Sequence, residues 1–357
     1  MTKNTSKIII AGPCSAESKD QILSTAKSIE KIQDVSFFRA GIWKPRTRPN
    51  LFEGIGEKGL KWLQEVGNTT NLKTTTEVAK TTHVEKCLEY NIDALWIGAR
   101  TTVSPFSVQE ISEALKGTKK IILVKNPVNE DLSLWLGALE RLDKVGIKNI
   151  IAIHRGFTAP SGGAYRNNPL WHIPLELKER CPELPIICDP SHMLGRREGL
   201  QELSQQALDL GFDGLMIETH PTPEKALSDS KQQITPKDLK ELLQNLQFDS
   251  IELRNKRILP QHDKSLKALR NLIEPLDQEL LEVLQKRMKV VKQIARLKKT
   301  SKIKVFQKKR MEELLGKVEV AAQRKGLDKK YVRNLYKIIH NESVNRQTEI
   351  INVLEKR

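Results

Sequence analysis

Four residues with metal-binding side chains, Cys14, His192, Glu218 and Asp229, fall at or just past the C-terminal ends of predicted β-strands. They supply a thiolate, an imidazole and two carboxylates, a ligand set suited to a first-row transition metal. The four residues are far apart in sequence, but parallel strands closed into a barrel would bring them together at one mouth. The sequence therefore predicts a site for a divalent transition metal, with Mn preferred and Fe, Co or Zn also compatible.

Eight short apolar runs provide the strands that such a barrel requires, and helical patterns separate most of them. The predicted strands are Ile8–Cys14, Val35–Ala40, Leu72–Thr76, Ala94–Gly98, Ile121–Lys125, Ile150–His154, Ile186–Cys188 and Gly214–Glu218. The predicted helices between them include Asp20–Gln33, Glu57–Glu65, Val84–Glu89 and Leu132–Lys144. This alternation predicts an α/β fold, a (β/α)8 TIM barrel with its active site at the strand C-termini.

The chain length predicts a second domain, because 357 residues exceed one ordinary core. We expect a barrel domain at residues 1–250, a linker at 251–262 and a small all-α domain at 263–357. Four cysteines without paired spacing argue against a disulfide framework. We find neither a signal peptide nor an apolar run of membrane-spanning length. We therefore expect a cytoplasmic protein with no membrane partner.

The formal net charge of +16 is concentrated in residues 263–357, which hold 25 Lys and Arg against 12 Asp and Glu. A basic segment is compatible with nucleic-acid binding, with a solvated helical surface, or with a pocket for a small anion. Aromatic residues there are few, so platforms for stacking single-stranded nucleic acid are not expected. We expect small anionic substrates as partners and no nucleic acid.

The C-terminal segment has helical periodicity throughout. Apolar residues recur every 3.5–3.6 positions from Leu266 to Leu297, a stretch too long for an ordinary globular helix, which points to a partner helix. A second helix is predicted at about Gln307–Arg324 and a third at about Lys329–Val353, with Gly326 ending the second. Pro275 interrupts the first pattern and would kink the helix unless the chain tolerates a bend there. A homodimer formed through this domain is the expected assembly.

Cationic residues are unusually dense at the predicted strand ends. Arg39 ends strand 2, Lys44-Pro45-Arg46-Thr47 follows in its loop, and Arg100, Lys125 and Arg155 end strands 4, 5 and 6. One such residue would be an incidental surface charge, but this many on one rim favours ligands that carry phosphate or carboxylate groups. A metal beside a phosphate pocket suggests that a carbonyl group of a phosphorylated substrate is activated.

These motifs resemble 3-deoxy-D-arabino-heptulosonate 7-phosphate (DAHP) synthase of the short-barrel type over about residues 5–245. The resemblance rests on Ala11-Gly12-Pro13-Cys14-Ser15, Arg39-Ala40-Gly41, Lys44-Pro45-Arg46-Thr47, Gly98-Ala99-Arg100, Asp189-Pro190-Ser191-His192 and the run from Asp213 to Asp229. Lys-Pro-Arg-Thr separates this family from its sister, 3-deoxy-D-manno-octulosonate 8-phosphate synthase. Cys14 predicts a metal-dependent enzyme, since some sister enzymes carry Asn there and need no metal.

The resemblance implies that phosphoenolpyruvate and erythrose 4-phosphate condense, with release of phosphate. It implies that Lys44, Arg100, Lys125 and Arg155 hold phosphoenolpyruvate and that Arg46 and Thr47 take the second phosphate. Glu77 either orients the attacking water or only pairs with the surrounding cations. The sequence departs from the family pattern at Lys125-Asn126-Pro127, where Lys-Arg-Gly is usual, and at His154-Arg155-Gly156, where Glu-Arg-Gly is usual.

Residues 264–353 resemble the all-helical chorismate mutases, which form intertwined dimers. The resemblance rests on Leu269-Arg270, Leu276-Asp277, Lys286-Arg287-Met288, Arg296-Leu297-Lys298, Arg310, Glu342-Ser343 and Gln347. It implies that Arg270, Arg287 and Arg310 bind the carboxylates and hydroxyl region of chorismate. Lys298 and Gln347 would contact the ether oxygen, and Ser343 would add a contact. Such a pocket works by positioning and electrostatics alone.

Together the two resemblances imply a bifunctional enzyme of aromatic biosynthesis, with the helical domain also sensing prephenate. Two alternatives stay open. Met311 stands where the mutase family commonly has Glu, so the helical domain could be a catalytically weak regulatory unit. It could also be a module that binds nucleic acid or a protein partner.

Overall fold

A computed structural model describes residues 7–44, 52–159, 164–248 and 260–355. The chain divides into two compact units, Met1–Asn255 and Lys256–Arg357. None of the described helices combines the length and the apolar character that a bilayer crossing requires.

The first unit contains a closed barrel of eight parallel strands, which confirms the predicted fold. Its strands are β1 (Ile8–Gly12), β2 (Phe37–Arg39), β3 (Lys73–Val78), β4 (Ala94–Ile97), β5 (Ile121–Lys125), β6 (Ile150–His154), β9 (Ile186–Cys188) and β10 (Gly214–Glu218). They pair in chain order, and β1 closes the ring by pairing with β10 from Ile8–Gly214 to Gly12–Glu218. Two further strands that the sequence did not predict, β7 (Phe157–Thr158) and β8 (Asn167–Asn168), pair antiparallel beyond β6.

Helices follow most of the barrel strands. They are α1 (Lys19–Ile29), α2 (Lys58–Thr69), α3 (Thr81–Glu89), α4 (Ala99–Thr102), α5 (Pro105–Leu115), α6 (Leu132–Lys144), α7 (His172–Arg180), α8 (Pro190–Leu194), α9 (Leu200–Asp209) and α10 (Pro236–Asn245). Side-chain caps fix several of their starts: Ser18, Ser104 and Asp131 accept hydrogen bonds from backbone N–H groups, and Thr235 forms a capping box with Asp238. Each cap sets the point where a loop at the barrel mouth becomes a helix.

Apolar residues of the barrel form two layers. The larger layer lies between the strands and the helices and includes Trp135, Phe38 and Ile22. The smaller layer fills the barrel interior and includes Trp96 and Met216. Strand side chains alternate between these layers, so consecutive strand residues serve the helix interface and the barrel interior in turn. The interior layer closes the barrel below the mouth and leaves the strand C-termini for polar groups.

The second unit contains three helices, α11 (Pro260–Thr300), α12 (Lys308–Arg324) and α13 (Lys329–Glu355). Helix α11 continues through Pro275, so the interruption is tolerated rather than terminal. Gly326, at φ +70°, ends α12 as predicted. The core is small: Val291, Ala295, Leu315, Ala322 and Val332 are buried there.

A row of large apolar side chains on α11 is exposed. Its members are Leu269, Leu272, Ile273, Leu276, Leu280, Val283, Val290, Ile294 and Leu297, which we call the α11 stripe. The spacing of three and four residues puts them on one face of the helix. The described residues of this chain leave that face uncovered.

Candidate active sites

The first predicted metal ligand, Cys14, is placed by a sharp turn after β1. Gly12 lies at φ +142°, and a Cβ on it would stand 2.2 Å from the carbonyl oxygen of Arg39. Only glycine fits this close approach. The turn buries Cys14 completely at the barrel mouth, where its N–H donates to Gln233 Oε1 at 3.0 Å.

The Asp189-Pro190-Ser191-His192 motif forms the start of α8. Asp189 is the N-cap and accepts the N–H of His192 at 3.1 Å. Its carboxylate also holds His192 Nδ1 at 2.8 Å, which leaves Nε2 to face Glu218 Oε1 at 3.6 Å. Ser191 Oγ accepts the N–H of Glu218 at 3.0 Å and so ties this helix to the end of β10.

The last predicted ligand, Asp229, lies in the loop after β10. Its φ of +47° is in the left-handed region, which Asp tolerates better than most residues. One carboxylate oxygen accepts from Cys14 Sγ at 3.3 Å and the other from Arg166 Nη1 at 3.1 Å. Arg166 therefore fixes the direction of a carboxylate that would otherwise be free to rotate.

The geometry of these side chains fits a metal ion. Donor atoms of Cys14, Glu218 and Asp229 all lie within 4.8 Å of one another, and His192 Nε2 borders the group through Glu218. Glu218 and Cys14 are both fully buried. A mixed set of S, N and O donors suits a first-row transition metal. A carboxylate on the far nitrogen of a histidine is the usual support for a metal ligand. Three of the four predicted ligands thus cluster at one mouth, and the fourth, His192, lies beside Glu218.

In this cluster the pKa of the Cys14 thiol and the pKa of the Glu218 carboxyl shift in opposite directions. Burial raises the pKa of the Cys14 thiol to about 12, and the Glu218 charge adds to the effect. Burial opposes the ionised form of Glu218 as well, but His192 and Arg39 outweigh it and hold that pKa below its usual value. Metal binding would therefore displace a proton from Cys14, since thiolate is the form that coordinates.

Two of the predicted cations are in direct contact with the metal ligands. Arg39 is buried, and its Nη2 lies 3.1 Å from Glu218 Oε1, while its guanidinium carbon lies 4.9 Å from the centre of the Trp96 ring. Lys44 Nζ lies 3.0 Å from Cys14 Sγ and 3.2 Å from its carbonyl oxygen. Burial opposes the charged form of Lys44, but Cys14 and Glu218 outweigh it and raise its pKa.

Lys125 and Arg155 lie at the ends of β5 and β6 and are nearly buried. Lys125 Nζ contacts Asp189 Oδ2 at 2.9 Å. Burial lowers the pKa of Arg155 to about 10, and the nearby Arg166 and Arg100 add to the effect. Cations packed this closely disfavour one another's charge, so an anionic ligand between them would be strongly attracted.

Asn126, the departure from the usual Lys-Arg-Gly, has a structural role. Its Oδ1 accepts the N–H of Arg155 at 2.7 Å, and its Nδ2 donates to the carbonyl of Gly156 at 2.9 Å. The amide thus positions the backbone that carries Arg155. His154, the other departure, packs among the rings of Trp135, Phe157, Trp171 and Phe212.

Glu77 and Arg100 complete the described part of the rim. Glu77 is half-buried within β3, and a Cβ on Gly98 would stand 2.0 Å from its Oε1, so glycine makes room for this carboxylate. Arg100 is exposed at the start of α4. The predicted phosphate contacts Arg46 and Thr47 lie outside the described residues.

The sequence reasoning missed several residues that brace the cluster. Gln232 Nε2 donates to Glu218 Oε2 at 2.7 Å and its Oε1 accepts from Arg166, while Gln233 holds the backbone of Cys14. Both glutamines are buried. The adjacent Gln232-Gln233 pair soon after Asp229 was the available signal, because buried amides need specific partners. Asp189 begins the Asp189-Pro190-Ser191-His192 motif, but the motif alone does not indicate that this carboxylate supports His192.

In the second unit, three of the predicted chorismate contacts come together between α11 and α13. Arg287 Nη1 donates to Ser343 Oγ and lies 3.5 Å from the carbonyl of Ile339. Gln347 Nε2 donates to the carbonyl of Ser343 at 3.0 Å. Ser343 and Gln347 are buried, so these groups form an ordered polar floor.

Lys298 belongs to the same region. Its Nζ donates to the carbonyl of Val305 at 2.7 Å, and both Lys298 and Arg287 add to the effect of burial in lowering the pKa of His340. Arg310 is 63% exposed and pairs with Glu313 at 3.2 Å on its own helix. The described contacts therefore do not bring Arg310 to Arg287.

Arg270 is not brought to this pocket by its own helix. It is exposed on α11, 17 residues before Arg287. At a rise of 1.5 Å per residue, that separation is about 26 Å along the helix axis. An arginine side chain does not span such a distance, so one α11 helix does not bring both guanidinium groups to one ligand.

The closed barrel, with the candidate metal ligands and the cations at its mouth, has the architecture of a (β/α)8-barrel enzyme. Residues 2–254 match the model of the DAHP synthetase I family, and the chain belongs to that family. Residues 269–348 match the chorismate mutase type II family, so the enzyme joins a DAHP synthase domain to a chorismate mutase domain. Both recognitions made from the sequence are confirmed.

Individual relatives agree with the family assignment. The chain is 35% identical over 238 residues to a phospho-2-dehydro-3-deoxyheptonate aldolase from Thermotoga maritima, covering 67% of this chain and 68% of the relative. The crystal structure of that Thermotoga maritima enzyme superposes with a TM-score of 0.61 at 34% identity, covering 68% of each chain. A 2-dehydro-3-deoxyphosphooctonate aldolase from Caulobacter vibrioides is 28% identical over 270 residues, covering 68% of this chain and 88% of the relative.

Proposed function

We propose that the barrel condenses phosphoenolpyruvate with erythrose 4-phosphate to give DAHP and phosphate, and that the reaction requires a divalent metal. The observation that carries this proposal is the Cys14, Glu218 and Asp229 cluster, with donor atoms within 4.8 Å of one another beside buried cations. Cys14, His192, Glu218 and Asp229 would hold the metal, for which Mn is preferred and Fe, Co or Zn is also compatible. When bound, the metal supplies Lewis-acid activation of the aldehyde carbonyl.

The protein's own residues supply binding, orientation and charge. Lys125 and Arg155 are nearly buried cations that suit the phosphate and carboxylate of phosphoenolpyruvate, and the exposed Arg100 adds a third at the rim. The new bond joins the methylene carbon of phosphoenolpyruvate to the aldehyde carbon. Lys44 keeps its proton at Nζ and provides positive charge where the aldehyde oxygen becomes negative. Glu77 would orient the water that adds to the neighbouring carbon before phosphate leaves.

The test of the condensation is the loss of phosphoenolpyruvate absorbance when erythrose 4-phosphate is added to metal-loaded protein. Chelation should stop the reaction and a divalent transition metal should restore it. Use of arabinose 5-phosphate in place of erythrose 4-phosphate would assign the barrel to the sister reaction instead.

The helical unit is proposed to rearrange chorismate to prephenate. The cationic pair Arg287 and Lys298, with Ser343 and Gln347 beneath, supports a pocket for a dianion that reacts without covalent catalysis. Loss of chorismate absorbance on addition of the full chain tests this activity. Binding of prephenate without turnover of chorismate would favour the purely regulatory alternative.

The α11 stripe supports a homodimer through the helical unit. Apolar side chains spaced for one helix face, and exposed in the single chain, need a partner surface to be buried. Within one α11, Arg270 and Arg287 are separated by about 26 Å, at about 1.5 Å per residue. Pairing with a second α11 would let each pocket receive Arg270 from the other chain. Prephenate bound there would bias the dimer and lower DAHP synthesis.

A further inference from the structure

Asp189 contacts two residues that have different proposed roles in the barrel site, His192 and Lys125. It is fully buried, and its carboxylate contacts His192 Nδ1 at 2.8 Å and Lys125 Nζ at 2.9 Å. Lys125 contacts Oδ2, while His192 Nδ1 lies within hydrogen-bond distance of both oxygens, 2.8 Å from Oδ2 and 3.0 Å from Oδ1. His192 would hold the metal, and Lys125 would hold phosphoenolpyruvate. One carboxylate therefore contacts both a proposed metal ligand and a proposed substrate-binding cation.

The local structure holds this carboxylate in place. Asp189 follows β9 directly and caps α8, with Oδ1 accepting the N–H of His192 at 3.1 Å and Pro190 at the first helical position. Its own N–H donates to the carbonyl of His154 at the end of β6 at 2.8 Å. The carboxylate does not reorient easily, so the His192 imidazole and the Lys125 ammonium both draw on the same negative charge.

The two contacts of the Asp189 carboxylate affect each other's strength. A hydrogen bond to a charged acceptor weakens when a second donor shares that acceptor. If Lys125 interacts less strongly with Asp189, the hydrogen bond between His192 and Asp189 therefore becomes stronger. A phosphate group bound by Lys125 would reduce the pull of that ammonium on Asp189. The stronger Asp189–His192 contact would then make Nε2 a better metal donor.

We propose that Asp189 is a positioning residue that couples metal binding to phosphoenolpyruvate binding by dividing its carboxylate between His192 and Lys125. By linkage the coupling is reciprocal, so the metal tightens phosphoenolpyruvate by the same factor. The inference rests on the proposed condensation, which supplies both ligands.

The test is a double-mutant cycle on metal affinity in the full chain, without substrate. Apo protein is titrated with Co²⁺ and followed by the charge-transfer absorption of the Cys14 thiolate. Asp189→Asn should weaken Co²⁺ binding by roughly 10- to 100-fold. Lys125→Met should tighten it, because Asp189 then serves His192 alone. In the double variant the gain from Lys125→Met should disappear.

A merely electrostatic effect of Lys125 through space gives a different result. The gain from Lys125→Met would then persist in the Asp189→Asn background to within about twofold, and the proposal would be overturned. Unchanged Co²⁺ affinity in Asp189→Asn would overturn it as well. Asn and Ser both preserve the N-cap, so Asp189→Ser serves as the second variant if Asp189→Asn does not unfold cooperatively.

A second measurement adds the substrate. The ratio of phosphoenolpyruvate affinities in Co²⁺-loaded and apo protein should be several-fold larger in wild type than in Asp189→Asn. The matched control is Asp213→Asn, which alters a carboxylate that also bridges a lysine, Lys178, and a backbone N–H, but at the start of β10. That variant should keep the wild-type ratio. If the wild-type protein binds neither Co²⁺ nor phosphoenolpyruvate, the proposed function is contradicted. If it binds both ligands but the effects of the two substitutions are additive, only the coupling is contradicted.

Discussion

The two candidate sites of this chain differ in how completely one chain builds them. In the barrel, Arg39, Asp189 and Glu218 are at most 1% exposed, and each charge has a partner of opposite sign. In the helical unit, Arg310 is 63% exposed, and Leu276 and Leu280 of the α11 stripe are more than half exposed. The described charges of the barrel site are paired within one chain, while the described contacts of the helical unit leave Arg270 and Arg310 away from Arg287.

The difference follows from the two architectures. A closed parallel barrel returns every strand end to one mouth, so residues far apart in sequence become neighbours. A long helix does the opposite, since it moves residues 17 positions apart, such as Arg270 and Arg287, to separate places along its axis. Under the proposed function, such a pocket would receive Arg270 from a second copy of the chain.

The largest expected effect is on the barrel. Cys14→Ala removes the thiolate donor and should abolish condensation while chorismate turnover continues at close to the wild-type rate. The measurement is the rate of phosphoenolpyruvate loss in metal-saturated protein. The matched control is Cys181→Ala, which alters a half-buried cysteine at the end of α7. Full activity of metal-free Cys14→Ala protein would remove the metal from the proposed reaction.

The next effect concerns the pocket in the helical unit. Arg287→Ala should lower chorismate turnover by roughly a hundredfold or more, because it removes a positioned cation from the ligand's charge. Condensation should stay within a few-fold of wild type. Lys286→Ala is the control, since Lys286 is exposed and pairs only loosely with Glu282 at 3.7 Å. Equal losses in the two variants would mean that overall positive charge, and not the pocket, binds the substrate.

A charged substitution in the α11 stripe tests whether the stripe forms the dimer interface. Leu280→Glu places a carboxylate in the α11 stripe and should shift the chain from dimer to monomer, with mutase turnover falling in parallel. Gln278→Glu adds the same charge on the other side of the helix and should change neither. Sedimentation at several protein concentrations measures both variants. Dimers that survive Leu280→Glu would place the assembly surface elsewhere.

A smaller effect is expected for regulation. Prephenate should lower DAHP synthesis of the full chain, and both Arg287→Ala and deletion of residues 263–357 should remove the response. The measurement is a prephenate titration at fixed substrate concentrations. Identical titration curves for full-length and truncated protein would leave the fusion without a regulatory role.

The smallest effect concerns pH and stability. Burial among aromatic rings lowers the pKa of His154 to about 3. In the unfolded chain the same imidazole takes up a proton near pH 6.5, so folding stability should fall as pH falls below that value. Between pH 7.5 and pH 5 the loss attributable to this residue is about 2 kcal/mol, because stability falls by about 1.4 kcal/mol per pH unit below pH 6.5.

The comparison that isolates His154 uses urea unfolding at pH 7.5 and pH 5. His154→Leu should show a smaller drop in unfolding free energy between the two pH values than wild type. Phe157→Leu changes packing in the same cluster without a titratable group, and it should show the wild-type drop. Equal drops in wild type and His154→Leu would mean that the imidazole is protonated in the folded protein.

Sequence patterns predicted the barrel because each strand is a short apolar run and the reactive residues fall at strand ends. They could not show that Asn126 holds the backbone of Arg155, or that Gln232 links Glu218 to Arg166, because those roles depend on loops from different strands meeting. The strands β7 and β8 were missed for a simpler reason, since two residues carry no periodicity. Arg46 and Thr47 keep the roles that the family resemblance implies, as predictions.

Subunit mixing most directly tests whether the barrel site uses one chain and the helical pocket uses two. Chains carrying Arg270→Ala and chains carrying Arg287→Ala should each have little mutase turnover alone. After subunit exchange, one pocket of each mixed dimer should regain both arginines. At equal amounts the mixture should recover about a quarter of wild-type mutase turnover. The parallel mixture of Cys14→Ala and Arg155→Ala chains should recover no condensation. Mutase turnover that stays absent on mixing, or condensation that returns, would contradict the account.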